Sequence, residues 1–340
     1  MTNLKLIKNI QFKQKEKPFD EILKWLNDDI QKVNATILKN MNSKVPLISQ
    51  LSGYIISSGG KRIRPILTLA TSKLCKYSGE RHINLAASIE FIHTATLLHD
   101  DVVDESMNRR GKKSAHNVWD NKSSILVGDF LLSKAFRLMI KDGSHRCLDT
   151  LSKASIEISQ GEVLQLLTNN NIQTSESQYL EVINAKTAAL FSAACSISGI
   201  ISEVEKEKEN ALSEYGQYLG TAFQITDDTL DYVSDNHSLG KDVGDDFKEG
   251  KVSLPIILAF IRSDKNEKEF WLKVINNKNQ DSGDLSIALD IIKKYNVIKD
   301  CLKKAKHFSI MAKDSLGPFE DSYEKQKLVE LAEFSIKRLN

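Results

Sequence analysis

The stretch ASIEFIHTATLLHDDVVDES, residues 87–106, joins an apolar helical pattern directly to three aspartates. Apolar residues recur three and four positions apart up to Leu97, which is the spacing of one buried helix face. Asp100 and Asp104 follow at i and i+4, so a continuing helix places them one turn apart on the same side. Like charges at that spacing repel each other and weaken a helix. The stretch therefore predicts a buried helix whose terminal acids are held by positive charge.

Composition predicts an all-α fold. The 340 residues are 41% hydrophobic and include only 5 prolines, so a large core is possible and turn signals are few. Few segments alternate with period two, which argues against strands. Helices are expected over about 19–41, 45–57, 64–77, 82–105, 114–141, 146–168, 175–200, 206–233, 252–262, 266–276, 284–312 and 320–339. We expect a single large helical bundle, one domain over residues 1–340, with residues 1–18 as a flexible N-terminal arm.

Charge and cysteine content narrow the class of protein. A net charge of +2 from 47 basic and 45 acidic residues gives no global attraction to nucleic acid or to an anionic membrane. The four cysteines form no C-x-x-C pair and are expected to be reduced thiols. No apolar run approaches the roughly 18 residues of a membrane span, and the Lys-rich start has no signal-peptide core. The sequence predicts a cytoplasmic protein that does not bind nucleic acid.

The spacing of the first acids returns in FQITDDTLDYV, where Asp227, Asp228 and Asp231 again follow an apolar helical run. Either cluster alone would usually be a solvated helix end, but two clusters attached to buried stripes need cations, because buried unpaired carboxylates are costly. Mg²⁺ fits, since it takes one or two carboxylates and completes its shell with water and phosphate oxygens. The spacing excludes an EF-hand, and no His/Cys group suggests zinc. Magnesium in turn implies a phosphorylated substrate.

Basic residues accompany the acids. The clusters are Lys61, Arg62 and Arg64 in GGKRIRP, Arg109 and Arg110 in NRRGK, and Lys241 and Lys251 in GKDVGDDFKEGK. Each cluster alone is more often a solvated face, but guanidinium groups suit phosphate, and their pairing with the acid clusters suggests two diphosphates. One diphosphate would be bridged by metal and the other held directly by Lys and Arg.

Taken together, these stretches resemble the trans-isoprenyl diphosphate synthases, the polyprenyl synthetase family. The matching segments, in order, are GGKRIRP, FIHTATLLHDDVVDESMNRRG, GEVLQL, AKTAALF, GTAFQITDDTLDYV and GKDVGDDFKEGKVSLP. They span residues 57–255 and look most like the long-chain bacterial members that make octaprenyl diphosphate. One departure is KVSLP, where many members have Pro or Thr after the lysine; Lys251 itself is present.

The resemblance implies an all-α bundle around a central active-site cavity, with the two aspartate motifs facing each other across its mouth. It implies that Asp100, Asp104 and Asp227 bind magnesium directly, and that Asp101, Asp228 and Asp231 complete or orient the metal shell. Three Mg²⁺ ions would chelate the diphosphate of an allylic substrate, whose C–O bond ionises. The double bond of isopentenyl diphosphate then attacks the cation, and the released diphosphate removes the proton.

The same resemblance implies roles for the other site residues. The allylic diphosphate would be bound by Arg109, Lys186, Lys241 and Lys251. The surroundings of the cation would be lined by Thr187 and Gln224. Isopentenyl diphosphate would be bound by Lys61, Arg64, His93 and Arg110. Each has a plainer interpretation: His93 could be a core histidine, and Lys186 with Thr187 could simply interrupt a buried helix. A buried lysine needs a partner, however, and an anionic substrate would be one. Asp129 is interpreted as a lone acid hydrogen-bonded within the core.

Product length is argued from the helix that carries Asp100. Ala95 and Thr96 lie about 6–7.5 Å below that acid and are small, where short-chain family members have a bulky aromatic floor, so the growing tail can pass. Phe136 or Met139 is expected to close the tunnel further down. Octaprenyl diphosphate, for the side chain of ubiquinone, is preferred over heptaprenyl, nonaprenyl, decaprenyl and geranylgeranyl products, and farnesyl diphosphate is the expected primer.

Three other functions stay open at this point. A class I terpene cyclase also has a magnesium aspartate cluster, but GGKRIRP and the second complete motif speak against it. A non-catalytic prenyl synthase subunit would have lost acids or lysines that are intact here, and a helical scaffold would leave six clustered acids unexplained. A homodimer is expected through ILVGDFLLSKAFRLM, residues 125–139, and the lipid product implies at most transient membrane contact.

Overall fold

The structure, a computed structural model, describes residues 17–233 and 243–336. The α-helices are α1 (Lys17–Trp25), α2 (Asn27–Met41), α3 (Pro46–Ser57), α4 (Ile63–Leu74), α5 (Arg81–Val103), α6 (Ala115–Val118), α7 (Asn121–Asp142), α8 (His145–Thr168), α9 (Glu176–Ile183), α10 (Ala189–Ile201), α11 (Lys206–Leu230), α12 (Asp245–Lys248), α13 (Leu254–Arg262), α14 (Lys265–Trp271), α15 (Asp284–Lys294), α16 (Val297–Ser315) and α17 (Tyr323–Ile336). The remaining elements are two π-helical segments, π1 (Asn184–Ala188) and π2 (Leu272–Asn276), and the short strands β1 (Asn108–Arg109) and β2 (Lys112–Lys113). The all-α prediction is confirmed.

Three of the predicted helices are broken. The helix expected over 19–41 is interrupted at Leu26, between α1 and α2. The helix expected over 114–141 is wrong, because α7 starts anew after Trp119, where the Asp120 side chain accepts a hydrogen bond from the Ser123 amide (2.7 Å) and caps the helix. The helix expected over 284–312 is also wrong. It breaks at Asn296, whose φ of 52° is left-handed and ends one helix before the next begins.

The chain divides into two compact units, each described here by itself. Among the described residues, unit 1 takes those of Met1–Ser152, Ala194–Glu209 and Glu320–Leu331. Unit 2 takes those of Lys153–Ala193, Asn210–Phe319 and Ala332–Asn340. A single domain over 1–340 stays a prediction. Most of the expected N-terminal arm, residues 1–16, lies outside the described residues, and α1 begins at Lys17.

The core of unit 1 is built around α5. This helix contacts α2, α4 and α7, and side chains on several sides of it are buried, including Ile89, Phe91 and Ile92. A helix surrounded in this way needs apolar residues around most of its circumference, which the sequence provides. It also carries the acids at its C-terminal end into a partly buried setting, since Asp100 is only 9% exposed and Asp101 is fully buried.

Unit 2 has its own apolar cluster. Trp271 is fully buried there, with side chains from α9, α13, α15 and α16 around it. Ile225 near the end of α11 and Tyr232 just after it belong to the same cluster, so the second aspartate motif is anchored on both sides by buried side chains.

Of the described residues, one stretch, 176–201, is long and apolar enough to cross a membrane by length and composition. Within its most apolar window, 67% is buried inside the protein, as in a core helix.

Candidate active site

The first aspartate motif lies at the C-terminal end of α5. The helical hydrogen bonds continue through the Asp104 amide, which donates to the Asp100 carbonyl (2.8 Å), and the helix ends before Glu105, whose φ is 50°. Asp101 points into the protein, where its Oδ1 accepts from Arg109 Nε (2.7 Å) and also from Arg109 Nη2. Asp101 is therefore held by a protein cation, Arg109.

A small β-hairpin supplies that arginine. Strands β1 and β2 pair antiparallel, and the two residues between them, Arg110 and Gly111, both have positive φ (54° and 73°). Two left-handed residues make the tight turn whose twist matches a hairpin. Tyr54 of α3 fixes it by donating from its hydroxyl to the Lys113 carbonyl (2.7 Å). The sequence analysis predicted no regular structure between the helices expected over 82–105 and 114–141, and it missed the hairpin.

The hairpin turn also places Arg110 close to the glycine-rich stretch before α4. Its Nη1 donates to the Gly59 carbonyl, and the neighbouring Gly60, with φ of 135°, lies so close that an added Cβ would fall 2.4 Å from the same nitrogen. The φ of Gly60 is one that residues with a Cβ rarely adopt, so a substitution there would be strained. Lys61, next along the chain, lies over the Phe19 ring at 5.6 Å from its centroid.

His93 lies among positive charges. Burial is the main cause that lowers the pKa of His93 well below its usual value, and the charges of Arg64, Arg110 and Arg109 lower it further. The imidazole is therefore neutral near pH 7, although three cations surround it. Four of the predicted diphosphate-binding side chains thus lie within electrostatic reach of one another in unit 1.

The second aspartate motif lies at the end of α11, and two of its acids are held by protein donors. Asp228 Oδ2 accepts from the Tyr179 hydroxyl (2.6 Å) and its Oδ1 from Gln224 Nε2 (2.8 Å). Asp231 Oδ2 accepts from the Asp246 amide (3.0 Å). Burial, and next the charge of Asp246, raise the pKa of Asp228 to about 7.

The predicted residues Lys186 and Thr187 lie in π1. Wide π turns of this kind are rare and concentrate at functional sites. Thr187 Oγ1 donates to Gln224 Oε1 (2.8 Å), and Lys186 Nζ donates to Glu162 Oε2 (2.5 Å). In the structure Lys186 is thus paired with a protein carboxylate from the GEVLQL segment, and its expected diphosphate partner stays a prediction. Gly161 admits the close contact, because a Cβ there would fall 2.6 Å from the Lys186 amide nitrogen.

Of the two predicted site lysines in GKDVGDDFKEGK, the structure describes Lys251 but not Lys241. Lys251 Nζ pairs with Glu249 (2.7 Å) and lies 3.5 Å from Asp246. Lys241 lies outside the described residues.

The donor set fits magnesium. Asp101 Oδ2 is buried and has no hydrogen-bond partner among the described residues, and Asp100 and Asp104 lie one helical turn apart beside it. Within the described ranges no three His, Cys, Asp or Glu side chains form a complete metal-binding group. Mg²⁺ does not need one, because water and substrate phosphate oxygens fill most of its octahedral shell.

Comparison with known proteins decides the family. The model of the family described as Polyprenyl synthetase matches residues 45–292. The chain belongs to the polyprenyl synthetase family. It is 52% identical over 231 residues to the octaprenyl diphosphate synthase of Escherichia coli (strain K12), covering 68% of this chain and 72% of that protein.

Solved structures of this family share the fold. A crystal structure of a decaprenyl diphosphate synthase from Rhodobacter capsulatus is 43% identical with a TM-score of 0.90, covering 95% of this chain and 99% of that one. A polyprenyl synthase from Caulobacter crescentus CB15, complexed with calcium and isoprenyl diphosphate, is 42% identical with a TM-score of 0.92, covering 94% and 98%.

In this polyprenyl synthetase one of the two small residues predicted to set chain length is in the core of unit 1, and the other, Thr96, is half-buried. Ala95 is 1% exposed, and Thr96 donates from its hydroxyl to the His93 carbonyl (2.8 Å). Met139 is buried, whereas Phe136 lies at the surface of the chain. The interpretation of Asp129 as a core acid is wrong. Its side chain is 60% exposed and faces His99 Nε2 at 3.4 Å.

Sequence reasoning missed three polar residues of this site, namely Tyr179, Glu162 and Asp246. Each contacts a predicted residue from another segment, and the Tyr179–Asp228 and Glu162–Lys186 pairs are 49 and 24 residues apart in sequence. The doublet before FKEGK was a signal for Asp246, because it repeats the paired acids of the two motifs.

Proposed function

We propose that this enzyme is a magnesium-dependent long-chain trans-polyprenyl diphosphate synthase that extends an allylic diphosphate with isopentenyl diphosphate. One observation in unit 1 carries the proposal: a single hairpin holds Arg109 against the first aspartate motif and Arg110 close to His93. Carboxylates suited to Mg²⁺ and a positive cluster suited to a diphosphate therefore share one small structural element.

In unit 1, Asp100 and Asp104 would hold the metal, and Asp101 would orient the motif through Arg109. Bound Mg²⁺ would supply positive charge that stabilises the diphosphate leaving the allylic carbon. Arg109 would add a charge-assisted hydrogen bond to that diphosphate. Isopentenyl diphosphate would bind to Lys61, Arg64, His93 and Arg110, where the neutral imidazole donates a hydrogen bond without adding charge.

In unit 2, Asp227 would hold metal, while Asp228 and Asp231 keep their protein donors. Lys186, Lys241 and Lys251 would bind the allylic diphosphate. Thr187 and Gln224 are polar but uncharged, and their mutual hydrogen bond occupies them, so they would border the allylic cation without trapping it. We propose three Mg²⁺ ions per active site, and the released diphosphate as the base that takes the final proton.

The proposed product is octaprenyl diphosphate, made from farnesyl diphosphate for the ubiquinone side chain. The octaprenyl diphosphate synthase of E. coli supports this length, and the R. capsulatus decaprenyl enzyme makes a longer product the alternative. The buried Ala95 leaves room for the tail, and Met139 would end it.

We also propose that the enzyme works in the cytoplasm as a homodimer. On α7, Leu126 and Ile140 are 65% and 67% exposed, and with Phe136 they lie on one face of the helix. An apolar face of this kind favours burial against a second copy. Light scattering should give twice the mass of the 38.2 kDa chain, and Leu126→Glu should give a monomer. A wild-type monomer at micromolar concentration would contradict the dimer.

The function is tested by labelled isopentenyl diphosphate incorporation with farnesyl diphosphate and Mg²⁺. Asp100→Ala and Asp227→Ala should fold but lose at least about 100-fold in rate, as when one electrostatic group of an active site is removed. Asp321→Ala, which removes a fully exposed acid outside both aspartate motifs, is the matched control and should keep the wild-type rate. Wild-type rates in either motif variant would remove the metal assignment.

A further inference from the structure

Three hydrogen bonds connect the segment that contains α9 and π1 to one face of α11. Thr221 Oγ1 donates to Asn184 Oδ1 (2.7 Å), Thr187 Oγ1 donates to Gln224 Oε1 (2.8 Å), and the Tyr179 hydroxyl donates to Asp228 Oδ2 (2.6 Å). Positions 221, 224 and 228 are i, i+3 and i+7, so all three bonds lie along the same side of the helix. We call this set the α11 ladder; it lies wholly within unit 2.

Tyr179 makes the deepest bond of the α11 ladder. Its side chain is 5% exposed and Asp228 is 9% exposed, so neither partner can readily exchange the other for water. Burial and the adjacent Asp228 carboxylate raise the pKa of Tyr179 well above its usual value, so the hydroxyl stays a donor. The 2.6 Å separation lies at the short end of the range for O–H···O hydrogen bonds.

The orientation of Asp228 fixes the orientation of Gln224. Asp228 faces the amide nitrogen of Gln224, and Nε2 donates to Asp228 Oδ1 at 2.8 Å. The amide oxygen of Gln224 is then left to accept from Thr187. A rotated Asp228 would let the Gln224 amide turn over and would release the Thr187 hydroxyl.

We propose that Tyr179 is a positioning residue of the prenyl transfer reaction, which holds the Asp228 carboxylate and, through it, sets the Gln224 amide and the Thr187 hydroxyl. The inference rests on the proposed function of the site. The ring of Tyr179 belongs to the unit 2 core, and only its hydroxyl reaches the site, so the two contributions can be separated by one substitution.

Tyr179→Phe removes the hydroxyl and keeps the ring. The expected result is a fall in kcat of about 10-fold or more, as for loss of a hydrogen bond to a charged group, with a higher Mg²⁺ concentration at half-maximal rate. The KM for isopentenyl diphosphate should stay within 2-fold or so of wild type, because its proposed binding residues are all in unit 1. A general loss of folded structure in Tyr179→Phe would not lower kcat while leaving the KM for isopentenyl diphosphate unchanged.

The matched control is Tyr295→Phe. The Tyr295 hydroxyl donates to Glu267 Oε2 at 2.8 Å in the same unit, so the substitution breaks the same kind of bond away from the site. It should leave kcat and the magnesium dependence unchanged. Equal losses in both variants, or wild-type kinetics in Tyr179→Phe, would overturn the proposal.

A binding measurement reads the same proposal without turnover. Mg²⁺ with inorganic diphosphate should raise the Tm of the wild type, and the rise should be smaller in Tyr179→Phe and unchanged in Tyr295→Phe. If the wild type binds Mg²⁺ with diphosphate but does not transfer prenyl groups, the proposed function is wrong. The difference in Tm shift between wild type and Tyr179→Phe still tests whether Tyr179 positions the site. An equal shift in all three proteins would refute the role of Tyr179.

A double-mutant cycle tests the route through Asp228. In an Asp228→Asn background the carboxylate that orders the Gln224 amide is already gone, so adding Tyr179→Phe should reduce the Mg²⁺–diphosphate Tm shift no further. Additive effects would mean that Tyr179 does not act through Asp228. Asp228→Asn alone gives a second test should Tyr179→Phe fail to fold: an unaltered Tm shift would contradict the proposal.

Discussion

The pair of Arg109 and Asp101 should dominate the local stability of the first aspartate motif. Arg109→Met keeps a side chain of similar length but removes both donors to a carboxylate that is 0% exposed. Removing one partner of a buried ion pair costs about 3–5 kcal/mol. Because the Arg109 side chain is itself 26% exposed, water reaches that end of the pair, so we expect the lower end, about 3 kcal/mol.

Urea unfolding followed by circular dichroism measures this loss. Lys306→Met, which removes an exposed positive charge from α16, is the control and should stay within about 0.5 kcal/mol of wild type. The double variant Arg109→Met/Asp101→Leu removes both charges and should recover most of the stability but none of the activity. If the free energy of unfolding of Arg109→Met lies within about 1 kcal/mol of the wild-type value, the buried Asp101 does not depend on Arg109 and the reasoning is refuted.

Three further outcomes are expected. Gly216→Ala should lower the free energy of unfolding by about 1–3 kcal/mol, because the new Cβ falls 2.4 Å from the backbone oxygen of Phe191. Gly53→Ala, whose new Cβ meets nothing within 4 Å, is the control and should not destabilise the protein. Equal denaturation curves for the two variants would contradict this expectation. His93 has a folded-state pKa well below that of the unfolded chain, so the unfolded state binds more protons below about pH 6.5 and stability falls there. His93→Gln should therefore lose less stability than wild type between about pH 7 and pH 5, and identical losses would show that His93 is not held neutral. Ala95→Tyr fills a buried position below the metal acids and should shorten the product seen by chromatography; an unchanged length would place the tail elsewhere.

Local sequence patterns were enough to predict the helix that carries the first aspartate motif. The expected helix over 82–105 and the observed Arg81–Val103 differ by one and two residues, because a long apolar pattern defines a helix without reference to the rest of the chain. The acids at its end could be found for the same reason. Their partner could not be placed by pattern alone, since Arg109 reaches Asp101 only through a hairpin whose strands are two residues each.

Tertiary contacts account for what sequence reasoning missed. Nothing local marks Tyr179, whose role depends on Asp228 of another helix, and nothing local shows that Lys186 finds Glu162. Asp129 was misplaced because its apolar neighbours resemble those of a buried helix, although α7 exposes that side to solvent. A pattern reports which face is apolar, and only the fold shows what covers it.

The most direct test of the account is one incubation of the purified protein with Mg²⁺, labelled isopentenyl diphosphate and farnesyl diphosphate, repeated with geranylgeranyl diphosphate. The products are dephosphorylated and sized by chromatography. A single long prenyl alcohol, of octaprenyl length, is the expected result. If the label stays in isopentenyl diphosphate with both primers, the claim that this chain catalyses prenyl transfer is contradicted. A non-catalytic prenyl synthase subunit would then be favoured.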